Sequence, residues 1–194
     1  MCIRDRLYPM LIAGLKKRPA VLCPFVTRPK EEIFDREKLG LPPATAAIKG
    51  IYAMRRADPA KQPYHGTLVL QGSGVTNTFV AEVLPKIDEA KLNMNVFYIA
   101  SAELFSMLPE KEQDEIFPPE LAGEAMGITG LTLPTLYRWV TSREGRRRSV
   151  HAFRKGHYLG SGQAHKVLEE ADLHGAGQWE AVESYAEWIA KSGT

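Results

Sequence analysis

Cysteine is scarce in this chain: Cys2 and Cys23 are the only two among 194 residues. A disulfide framework needs more, and a zinc site needs a paired spacing that these two lack. Two thiols so far apart fit a reducing compartment, and cytoplasmic residence is the expectation. Long apolar runs are missing as well. The longest candidate, Ala20 to Val26, is broken by Pro24 and falls short of the roughly 20 residues that cross a bilayer. No membrane partner is expected. Nor does one sign of charge dominate, since 25 Lys and Arg face 23 Asp and Glu for a formal net charge of +2. Whole-chain charge therefore gives no argument for nucleic acid as a partner. Met1 to Arg6 lacks the apolar stretch and small-residue cleavage site of a signal peptide and reads as an artefactual or truncated start.

What remains is an ordinary globular composition, 44% hydrophobic and 25% charged. The length suits one domain, or one domain with a piece of another. Charge is unevenly spread: residues 1–60 carry +6 and residues 61–194 carry −4. Leu7 to Arg18 places Leu7, Met10, Leu11, Gly14 and Leu15 on one helical face, with Lys16, Lys17 and Arg18 at the dipole's negative end. Pro19 stops that helix. Ala20 to Thr27 then reads as a continuous apolar strand of the kind buried on both faces of a parallel sheet. Residues 29–47 show no period and read as a linker. A short strand is expected over Gly50 to Arg55.

The α/β pattern is clearest from Thr67 onward. Thr67 to Gln71 reads as a strand, Gly72-Ser73-Gly74 as a tight turn and Val75 to Ile87 as a helix. Met94 to Ala100 is the next strand, and Ser101 with Glu103 opens another helix. Helices are also expected over Pro134 to Val140, Ala164 to Ala171 and Trp179 to Ala190, with a strand over Arg148 to Phe153. Strands and helices alternating through short loops imply a mostly parallel sheet with helices on its faces.

Four stretches carry possible chemistry. Gly72-Ser73-Gly74 joins a strand to a helix, where backbone N–H groups can hold an anion. It lacks the dinucleotide spacing G-x-G-x-x-G, which fails at Asn77, and the Gly-Lys-Ser/Thr of a P-loop, so a simple turn is the plainer reading. Arg28 follows directly on the apolar run, at a strand's carboxyl end, where α/β folds bind ligands and a guanidinium suits phosphate or carboxylate. Arg143, Arg146, Arg147, Arg148, Arg154 and Lys155 crowd a region with Glu144 as its one acid, read as a solvated or interface-facing loop with an anion site as the alternative. His157 to His165 surrounds Gly160-Ser161-Gly162, but a nucleophile elbow needs G-x-S-x-G, and no nearby carboxylate orients either histidine.

Taken in order, the pieces form a series. A helix leads to Thr27-Arg28-Pro29, then to Lys49-Gly50-Ile51-Tyr52. Leu68 to Gly74 follows with its helix, then Ala102-Glu103-Leu104-Phe105, and Leu159-Gly160-Ser161-Gly162 before a terminal helical section. From about Leu7 to Trp188 the series resembles the C-terminal part of transketolase-family proteins, which are thiamine diphosphate enzymes. The resemblance implies a three-layer α/β/α C-terminal domain with a mostly parallel sheet over residues 44–194. It is preceded by the end of a pyrimidine-binding α/β domain and a linker over residues 7–43. It also implies thiamine diphosphate and Mg²⁺ in the full-length enzyme, a sugar phosphate substrate and a homodimer. Within this chain it maps one functional position, Arg28, as the ligand of the substrate phosphate. Pro29 stands where transketolases usually carry Gln and removes a donor beside that arginine. No catalytic, cofactor-binding or metal residue is carried over, since the Gly-Asp-Gly motif and the activating glutamate of the family are absent. This chain alone is expected to be inactive. The alternatives are the C-terminal region of an E1-type 2-oxo acid (pyruvate) dehydrogenase, or a non-catalytic dimerisation module using residues 143–157 and the Trp179/Trp188 helix. A free-standing anion- or RNA-binding domain is a third.

Overall fold

The computed structural model describes residues 3–25 and 31–192. Thr67–Gln71 forms the central strand of its sheet. Leu68, Val69 and Leu70 are all fully buried there, although successive side chains turn to opposite faces. A strand covered on both faces belongs in a parallel sheet clothed by helices. In chain order the elements are α1 (Ile3–Lys16), a 3-10 turn (Ala44–Lys49), β1 (Ile51–Arg55), β2 (Thr67–Gln71), α2 (Ser73–Thr78), a π-helical turn (Phe79–Val83) and α3 (Leu84–Glu89). Then come β3 (Asn95–Ile99), α4 (Ala102–Ser106), α5 (Glu110–Ile116), α6 (Pro119–Glu124), β4 (Met126–Thr129), a second 3-10 turn (Leu133–Leu136), α7 (Arg143–Arg148), β5 (Val150–His151), α8 (Ala164–Glu170) and α9 (Gly175–Ser192).

The five strands lie in the order β1-β3-β2-β4-β5. β2 runs parallel to β3 on one side and to β4 on the other, β4 runs parallel to β5, and β1 closes the far edge antiparallel to β3. One face packs Leu68, Leu70, Tyr98 and Met126 against Phe79 and Val83 of the π-helical turn and against Val182 and Tyr185 of α9. The opposite face packs Val69, Phe97 and Ile99 against Phe105, Phe117 and Trp139. Those rings meet edge to face, with centroids 4.9 Å apart for Phe97–Phe117 and 5.0 Å for Phe105–Trp139. The result is the three-layer α/β/α arrangement with a mostly parallel sheet.

The amino end of β2 is pinned by a polar cluster. Tyr185 of α9 accepts from the Thr67 backbone N–H at 2.9 Å and directs its own proton to the carbonyls of Glu124 (2.9 Å) and Thr67 (3.2 Å). Tyr64 donates to the Glu124 carboxylate, Thr67 Oγ1 donates to the same oxygen at 3.0 Å, and Asn95 Nδ2 donates to Tyr64 Oη at 3.1 Å. Burial, with Glu124 beside them, pushes both tyrosine hydroxyls above their ordinary range. They stay protonated and act as fixed struts. Gly66, at φ +96°, lies under the Tyr185 ring, where a Cβ would overlap the phenol.

Several expectations need correction. The described part of the expected strand, Ala20–Phe25, is extended but joins no sheet, with Val21 72% and Phe25 97% exposed. Among the described residues no strand runs beside it, and Pro24 has no N–H to pair. On α1, Gly14 is buried and Met10 packs on the core, while Leu15 is 64% exposed on a stripe with Tyr8 and Ile12. Residues 31–43 of the expected linker are fastened to the domain. Arg36 donates to Pro42 O (2.6 Å), Arg55 donates to Leu39 O (2.8 Å) and Gly40 O (3.0 Å), and Leu41 is buried. Pro134 to Val140 forms a 3-10 turn over Leu133–Leu136 rather than a helix. Residues 143–148 form a helix, not a loop.

Candidate functional site

The connection leaving β2 runs to β3 on one side, and the connection leaving β4 runs to β5 on the other. Between them, outside the carboxyl ends of β2 and β4, lies the crevice where open α/β sheets bind ligands. Gln71 ends β2 there, opposite Thr129 of β4. Its Oε1 accepts from Thr129 Oγ1 at 3.1 Å and from Thr135 Oγ1 at 2.6 Å. Both hydroxyls hold the amide oxygen. Gly72 follows with φ +96° and turns the chain sharply into α2. Its carbonyl accepts from both the backbone N–H (3.2 Å) and the hydroxyl (2.7 Å) of Thr76. The first N–H groups of this helix have no partner within it.

The neighbouring anion is the chain's own. The Glu31 carboxylate comes within 3.7 Å of the position a Cβ on Gly74 would take, at the positive end of the helix. One residue on, Glu32 O accepts from Asn77 Nδ2 at 2.9 Å. The sequence singles out Gly72-Ser73-Gly74, and the structure places it in the crevice. Gln71, Thr129 and Thr135 are missed by sequence reasoning, because only the strand register brings the first two together. A glutamine closing an otherwise apolar strand was the available signal. Arg28 lies outside the described residues.

The basic stretch is occupied within the chain. Ser142 caps α7 through its Oγ, which accepts from Gly145 N at 3.0 Å. Arg147 and Arg148 both reach Glu144, at 2.6 and 2.7 Å. The hydrogen bond from Arg147, with the charges of Arg147 and Arg148, holds the Glu144 carboxyl down at about 2. Arg146 donates to Val140 O at 2.8 Å and lies over the Tyr137 ring, and Arg148 lies over Trp188. Lys86 covers Trp179. Arg146, Arg148, Trp179 and Trp188, expected to face a partner, thus make contacts within the chain, while Arg143 and Arg154 are exposed. His157 does meet a carboxylate, Glu170, at 3.2 Å, and the same side chain accepts from Gly160 N at 3.3 Å. Ser161 is exposed beside them, and no hydrogen bond links it to either histidine. Among the described residues, no group of three or more His, Cys, Asp or Glu is placed to hold a metal ion, and no helix is long and apolar enough to cross a membrane.

No protein-family model matches the chain, and no curated protein matches it in sequence. Solved structures do. Transketolase from Leishmania mexicana superposes with a TM-score of 0.55 at 13% identity, over 76% of this chain and 19% of that one. Transketolase from Pichia stipitis, in complex with sedoheptulose 7-phosphate, gives 0.54 at 14% identity, over 77% and 20%. Transketolase from Campylobacter jejuni gives 0.51 at 17%, over 71% and 19%. The fold is transketolase-like. The chain spans about a fifth of the length of the transketolases it matches. At these identities the shared property is the path of the backbone, and the crevice, the capped α7 and the pinned β2 belong to this transketolase-like fold as this chain builds it.

Proposed function

We propose that this chain is the C-terminal part of a transketolase-like enzyme that transfers a two-carbon ketol unit between sugar phosphates, and that the 194 residues are inactive alone. The observation that carries the reading is the backbone match to transketolases over about three quarters of this chain and a fifth of theirs. In this reading residues 7–43 end a pyrimidine-binding domain, and residues 44–194 form the C-terminal domain of a cytoplasmic homodimer. The exposed apolar groups Tyr8, Ile12, Leu15, Val21 and Phe25 support it, because clustered apolar side chains left in water favour a contact with further protein.

Thiamine diphosphate and a divalent metal serve the full-length enzyme in this proposal. The described residues do not fit them, since they gather no metal-ligand cluster and the chain contains no Gly-Asp-Gly. What the chain contributes is Arg28, as the group that holds the substrate phosphate by charge-assisted hydrogen bonds.

Purified residues 1–194 with thiamine diphosphate, Mg²⁺ and xylulose 5-phosphate are expected to show no turnover, and ketol transfer by that sample would overturn the reading. In the longer enzyme, Arg28→Leu is expected to raise KM for xylulose 5-phosphate about 10- to 100-fold, the loss of one charged hydrogen-bond donor. An enzyme that decarboxylates pyruvate and ignores xylulose 5-phosphate would instead be of the E1 2-oxo acid dehydrogenase type.

A further inference from the structure

We draw no further inference here: the strongest candidate, the crevice at the carboxyl ends of β2 and β4 beside Gly72, Ser73 and Gly74, belongs to the site already described and rests on a helix N-terminus with no second observation among the described residues that points to a ligand.

Discussion

Tyr185 shows how much a single polar atom can hold. Its hydroxyl accepts from Thr67 N and donates toward Glu124 O, joining α9, β2 and the end of α6 at one buried point. Phenylalanine in its place would keep the ring packing and leave the Thr67 N–H without its acceptor. An unsatisfied buried donor costs about 1–3 kcal/mol. Tyr185→Phe is therefore expected to lower the unfolding free energy by that amount, seen as a lower urea midpoint with an unchanged m-value, and a loss below about 0.5 kcal/mol would show that the hydroxyl is replaceable by water. Gly66→Ala should cost at least as much, because it adds a side chain at positive φ directly under the phenol.

At the scale of elements, α7 is a six-residue helix capped by Ser142 and braced by its own charges. Its single acid faces two arginines three and four positions on. The folded Glu144 carboxyl titrates at about 2 against an ordinary 4.5. Its depressed value means that the stabilisation is complete above pH 4.5 and is lost as pH falls toward 2. The gap in melting temperature between wild type and Glu144→Gln should be open at pH 6 and should narrow steadily below pH 4.5. A gap independent of pH would remove the ion pairs from the account.

The same scale explains what could be read from the sequence. β2 and β3 were legible because four consecutive residues of β2 and all five of β3 are buried, which leaves short apolar runs set between turn residues. β4 was not: it is four residues long, and Gly127 interrupts it because Leu136 fills the space a Cβ would need. α5 buries none of its residues and so carries no apolar period to detect. Ala20–Phe25 failed in the opposite direction, since its composition matches a buried strand and only a neighbouring strand could make it one. Phe25→Ser is accordingly expected to change the stability of residues 1–194 by less than about 0.5 kcal/mol, while Leu70→Ala costs about 2–5 kcal/mol. A comparable loss at both positions would mean that Phe25 is packed after all. In the site, Gly72-Ser73-Gly74 was visible as a turn, whereas the pairing of Gln71 with Thr129 depends on β2 and β4 being neighbours, which a separation of 58 positions conceals.

Over the whole molecule, one sheet face is covered jointly by the rod of α2, the π-helical turn and α3, and by α9. Gln178 of α9 reaches into that rod and donates to Val75 O at 3.1 Å, beside the widened π turn. Removing residues 175–194 would uncover Leu68, Leu70 and Phe79 together. That shortened chain is expected to give no cooperative urea transition. A sharp transition near the parent midpoint would show that the sheet and its remaining helices suffice.

The bond between Thr67 and Tyr185 also sets an order in time. The two residues are 118 positions apart, so a ribosome that has already released β2, β3 and β4 has not yet supplied the phenol that fastens the first of them. The sheet face that α9 helps to cover must wait until α9 has been translated. A chaperone that shields emerging strands would have its longest engagement with this domain during that interval.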